Sequence, residues 1–267
     1  MENILRNVNK KETSTINKDN TFDNFKDYLK DFNIFTVDEI EIDDRDYYEE
    51  ALRKHLYTLS DFSRIASNYR GIEVRSFRNN TGHYVEETKV LYRRYKRYIE
   101  GLKCKKELNP VEEFILCNDK KSRIKAKESL SYVTFNEYIS ILRRSMDNNE
   151  ISIGNVLMTN IKRKDTHIQV VSLDQCSYNF MEMDAVFMIK VIRKRHLDVE
   201  LGPIIEDFCD YNGLYTCSEK LIKALVSFPY EYFKWVNHFR LNRKELGYDE
   251  YLKKLKKAIV RDGDSLI

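Results

Sequence analysis

Only eight glycines and three prolines interrupt 267 residues, and so few breakers constrain the chain to long helices rather than to a turn-rich sandwich. Apolar side chains make up 42% of the sequence and aromatic ones 12%, enough to bury a core that offsets the entropy of ordering. Collagen-like, toxin-like and fully disordered classes are thereby excluded. The 46 basic and 43 acidic side chains nearly cancel, so net charge points to no nucleic-acid partner, and any electrostatic partner must be met by a local patch.

Five cysteines, Cys104, Cys117, Cys176, Cys209 and Cys217, are odd in number and form no C-x-x-C pair. Neither a zinc site nor a disulfide framework is expected, and reduced, mostly buried thiols are. The N-terminus carries no signal-peptide apolar stretch and no run suits a membrane span, so a cytoplasmic chain with no membrane partner is expected.

Residues 1–20 are rich in Asn, Lys, Thr and Ser and predict a flexible tail. Residues 21–45 form a short separate segment. In it Phe22, Phe25, Tyr28, Leu29 and Phe32 keep helical spacing, and 37–42 alternates apolar and acidic residues as a strand would. Acidic residues from Asp38 to Glu50 lack the glycine and spacing of a calcium loop and read as solvated charge before a helix. Periodicity then predicts helices over about 46–67, 84–104, 110–128, 134–146, 183–196, 200–211, 218–227, 229–243 and 248–260. Between them, the apolar runs at 151–153 and 156–158 and the alternating 168–173 predict one β-hairpin, with Asp174 after its second strand. The helix over 84–104 interleaves Lys89, Arg93, Arg94, Lys96 and Arg97 with tyrosines. It reads as a solvated or partner-facing basic face before it reads as a nucleic-acid contact.

One constellation carries chemistry. Phosphotransferases of the protein-kinase type place a catalytic Asp in a loop, an Asn five residues later and a metal-binding Asp on the next hairpin, since a carboxylate must take the hydroxyl proton while oxygens hold Mg²⁺. Here Glu150 and Asn155 stand five apart, and Asp174 follows the hairpin. Asn148-Asn149-Glu150 and Asn155-Val156-Leu157 resemble the His-Gly-Asp and Asn-Val-Leu of the CotS-type bacterial spore-coat proteins, kinase-like members of the aminoglycoside and choline kinase superfamily. Leu173-Asp174-Gln175-Cys176, Asp184, the stretch His196 to Gly202 and the stretch Leu225 to His238 are similar to further segments of that family. The resemblance spans about residues 46–262.

That resemblance implies a mainly α (α+β) fold, a protein-kinase-like C-terminal lobe over 46–267 with one small β-hairpin and a truncated N-terminal lobe over 21–45. It implies a spore-coat scaffold, made in the mother-cell cytoplasm and deposited on the coat beside other coat proteins. Glu150 would stand at a degenerate base position and Asn155 and Asp174 would be vestigial metal ligands. Glu150 is a methylene longer than the family's Asp, and a misplacement of about 1 Å can cost about a hundredfold in rate. Residues 1–45 also hold no glycine-rich phosphate loop and no Val-Ala-x-Lys strand. A pseudokinase with no cofactor is therefore expected. The rival is an active Mg-ATP-dependent phosphotransferase using Glu150, Asn155 and Asp174. Asp184 is expected to cap the helix beginning near it, and His83, His167, His196 and His238 need no catalytic role.

Overall fold

A computed structural model describes residues 24–267 other than Ile72, Val74 and Arg75. The tail expected over 1–20 and the start of the helix expected at Phe22 lie outside the described residues. The helices are α1 (Phe25–Asp31), α2 (Glu49–Ala66), α3 (His83–Lys103), α4 (Pro110–Ser131), α5 (Phe135–Asp147), α6 (Glu182–Arg195), α7 (Leu201–Asn212), α8 (Thr216–Ser227), α9 (Tyr230–Arg240) and α10 (Tyr248–Asp262). Their boundaries follow local chemistry. Pro110 opens α4 with Asn109 and Glu112 closing a capping box, and Thr134 with Glu137 does the same for α5, so the amides that have no partner inside a first turn are satisfied by side chains.

Strands β1 (Ile34–Thr36), β2 (Arg78–Asn79), β3 (Ile151–Ser152), β4 (Ile161–Lys164), β5 (His167–Val170) and β6 (Ser177–Tyr178) complete the described set. They form two three-stranded sheets, ordered β1-β5-β4 and β2-β6-β3, rather than one hairpin. β1 runs parallel to β5 with Ile34 opposite Ile168, and β2 runs parallel to β6.

Two apolar clusters form inside. The first gathers Leu52, Leu56, Leu59 and Phe62 of α2 with Ile34, Ile168, Phe180, Ile189 and Phe208. The second gathers Leu91, Tyr95 and Ile99 of α3 with Val111, Ile115, Phe233 and Tyr251. α3 serves both, since Val85 near its start belongs to the first cluster. Its tyrosines are core residues: Tyr95 is buried and stacks on Phe233 with ring centroids 4.2 Å apart.

Three expectations are corrected. The hairpin is β4–β5, with the turn at Asp165 (φ 52°) inside the polar stretch. Ile151, Ile153, Val156 and Met158 are buried but only Ile151 lies in a strand, which pairs with β6, because an apolar run marks burial whether or not its backbone is paired. The segment 37–42 is not a strand. β1 lies just before it, and of the acids that follow, Asp43 caps the 3-10 helix Asp44–Tyr47 and Asp46 pairs with the distant Lys162 at 2.7 Å. Finally, only Cys176 and Cys209 are buried, while Cys104 and Cys117 are exposed.

Candidate functional site

The chain enters the site from the end of α5. Asn149 turns it through a left-handed conformation (φ 50°) and Glu150 follows, 4% exposed. Its carboxylate receives Arg144 Nε at 2.8 Å and Nη2 at 3.1 Å, and the Met181 N–H at 3.1 Å. The same guanidinium reaches both oxygens of the fully buried Glu182, at 2.8 and 2.7 Å, and donates to Ser218 Oγ. Burial pushes the Glu150 carboxyl above its ordinary value, against the pull of Arg144. Both forks of Arg144 are thus spent on carboxylates, and every oxygen of Glu150 has a protein donor.

Beyond Glu150 the loop is fixed from four sides. Ser67 Oγ accepts the Ile151 N–H at 2.9 Å. Asp184, 2% exposed, accepts the Ser152 hydroxyl at 2.6 Å and the N–H groups of Ile153 and Gly154 at 3.1 and 3.3 Å. Asp184 was expected to cap the helix that begins near it; it clamps this loop instead. His55 bonds the Val156 carbonyl through Nε2 at 2.8 Å, and burial holds its pKa down to about 4, so a neutral ring donates there. Asn160, 3% exposed, donates to the Asn155 carbonyl at 3.0 Å and accepts the Ser172 N–H at 2.9 Å.

Asn160 thereby ties the Asn155 loop to the segment bearing Asp174. Gly154 brings the two segments still closer: it adopts φ 72°, and a Cβ there would stand 2.5 Å from the Gln175 carbonyl oxygen. Glycine is required both by conformation and by the approach. Gly154→Ala is expected to cost about 1–3 kcal/mol in a denaturant melt; an unchanged midpoint would mean that the two segments do not abut.

Asn155 is half-buried and its Oδ1 accepts a 3.4 Å bond from the Leu157 N–H. Asp174 is exposed, and its Oδ2 accepts the Ser172 hydroxyl at 2.9 Å. Two such oxygens do not make a protein-held cage for Mg²⁺, which takes six ligands, so phosphate oxygens and water would have to complete the shell. Among the described residues no group of three or more His, Cys, Asp or Glu side chains is placed to hold a metal ion. Arg144, His55 and Asn160 were missed from sequence. Only the i, i+6 spacing of Arg144 and Glu150 across a helix end could have drawn attention to the first.

No family model matches the chain, and no curated protein matches it in sequence. In structure it is similar to an aminoglycoside phosphotransferase from Alicyclobacillus acidocaldarius subsp. acidocaldarius, with a TM-score of 0.62 at 16% identity, over 79% of this chain and 62% of that one. The fold is therefore of the aminoglycoside phosphotransferase type, a mostly helical, kinase-like architecture, and the chain spans less than two thirds of that neighbour's length. No described helix is long and apolar enough to cross a membrane.

Proposed function

We propose that this chain is a pseudokinase scaffold, a kinase-like structural protein of the bacterial spore-coat kind that its sequence resembles, assembled in the mother-cell cytoplasm with other coat proteins. The observation that carries this reading is Arg144. A base must be free to reach a substrate hydroxyl, and the carboxylate at the base position is instead locked in a bidentate pair beneath the surface. The described part of the N-terminal segment adds one helix, one three-residue strand and one 3-10 turn, little to grip ATP phosphates. Phe135 and Met146, 76% and 66% exposed, lie three turns apart on one face of α5. Such side chains in water suit a protein partner.

The second reading, an Mg-ATP-dependent phosphotransferase, draws support from the juxtaposition of the Asn155 and Asp174 segments at Gly154 and from the name of the structural neighbour. Thermal melts with ATP, with and without Mg²⁺, decide between the two. A ligand that binds the folded state raises its stability as RT ln(1 + [L]/Kd). No shift at about 5 mM ATP is expected, since a Kd above that level gives under about 0.4 kcal/mol. A Mg²⁺-dependent rise that disappears in Asp174→Ala would overturn the scaffold reading.

A further inference from the structure

Away from the Asn155 loop, a concavity of about 760 Å³ opens where α3, the start of α4 and the end of α9 meet. That volume lies in the range of small-ligand sites, about 300–1,000 Å³. Its lining sets Arg94, Arg97, Lys105 and Arg240 against one carboxylate, Glu112. Glu112 is already engaged, by Lys105 Nζ at 3.0 and 2.8 Å and by the Asn109 N–H at 3.1 Å. Arg94 and Arg97 make no hydrogen bond or ion pair with any described residue, and Arg240 donates only to the Asn237 side-chain oxygen, at 2.9 Å. Three guanidinium groups thus share one recess whose one carboxylate is already paired with Lys105.

A second observation points the same way. Arg94, Arg97 and Gly101 stand at i, i+3 and i+7, one stripe of α3. Gly101 costs helix stability relative to alanine, about 0.5–1 kcal/mol. No left-handed φ calls for glycine there, and an added Cβ would meet nothing within 4 Å. Neither backbone nor packing accounts for the residue. Its effect is to leave the wall of the recess bare beside the arginines.

We propose that this recess binds a phosphoryl-bearing small molecule, held by the forks of Arg94, Arg97 and Arg240 above Gly101. Planar guanidinium groups match phosphate oxygens two at a time. A compact ligand fits better than an extended polyanion because the other cations of α3, Arg93 excepted, are occupied. Lys89 pairs with Glu86, Lys103 with Asp119, and Lys96 lies over the Tyr92 ring. The site is independent of whether the chain transfers phosphate, since it shares no residue with the Asn155 loop.

Pyrophosphate is the probe, and Cys104, exposed in the lining, is the reporter, with exposed Cys117, which does not line the recess, as internal control. Pyrophosphate at about 1 mM is expected to give calorimetric binding that weakens with salt and to slow alkylation of Cys104, not Cys117, read by peptide mass mapping. The double variant Arg94→Ala/Arg97→Ala is expected to lose at least about tenfold in affinity while melting as wild type does. Gly101→Leu is expected to block binding, and Gly101→Ala to raise the melting temperature slightly. No heat and no protection at about 10 mM pyrophosphate, or an affinity unchanged in the double variant, would overturn the assignment. So would a single-stranded oligonucleotide that binds more tightly than pyrophosphate and is indifferent to the double variant, because the cations would then serve a nucleic-acid track.

Discussion

Replacing Arg144 by methionine is expected to remove about 3–5 kcal/mol of stability, a fall of roughly 10 °C in melting temperature for a chain of this size. The side chain makes five hydrogen bonds, to Glu150, Glu182 and Ser218. Methionine fills much of the volume but leaves two carboxylates facing each other, 4% and 0% exposed. Burying one unpaired charge is already unfavourable, and two of like sign raise each other's pKa further. The variant therefore has a signature that a simple packing defect lacks. Its carboxyls bind protons more tightly folded than unfolded, so its deficit shrinks as pH falls from about 7 to about 5. A deficit below about 1 kcal/mol, or one indifferent to pH, would mean that Arg144 does not hold the two acids.

Asp184→Ala is expected to cost about 2–4 kcal/mol at neutral pH, because the Ile153 N–H and the Ser152 hydroxyl lose their acceptor inside the protein, each at about 1–3 kcal/mol. Here the pH dependence runs the other way. Burial raises Asp184 from its ordinary 3.8 to about 6, and its hydrogen bonds to Ser152, Ile153 and Gly154 pull it back only in part. A carboxyl whose pKa rises on folding stabilises most below its unfolded value and loses that contribution as pH climbs through about 6. Two units are worth about 3 kcal/mol, and the alanine variant lacks them. The gap between wild type and variant should thus widen from pH 7 to pH 4. Buried His55, with its pKa held down to about 4, destabilises both proteins on acidification and cancels in the difference. Denaturant melts at the two pH values measure it, and a gap that narrows with acid would contradict the burial of Asp184.

Much of the helical framework was legible in the sequence, for a physical reason. α2 buries Leu52, Leu56, Leu59 and Phe62 at spacings of three and four, and that period has no other regular reading. Pro110 marks a helix start, as proline in a first turn does. The sheets were not legible, because their strands run only two to four residues, too short for alternation to separate them from buried loop. β4 carries Lys162, Arg163 and Lys164 and looks like a solvated turn, yet it pairs along its whole length with β5. Around the site, sequence spacing singled out Asn155 and Asp174, and the segments that bear them approach each other at Gly154 and Gln175. The further partners of Arg144 were hidden because Glu182 and Ser218 lie 38 and 74 positions away, and only tertiary packing selects them.

α3 has a consequence for how the molecule comes apart. Its 21 residues run about 30 Å at 1.5 Å per residue, with Val85 planted in one apolar cluster and Leu91, Tyr95 and Ile99 in the other. Neither half can melt without unwinding a beam that the other half still grips. Local opening near the Asn155 loop should therefore be suppressed, and amides at Ile153 and Gly154 should exchange with solvent only in concert with those of α9 and α10. A chain with two cores would then denature as a single cooperative unit.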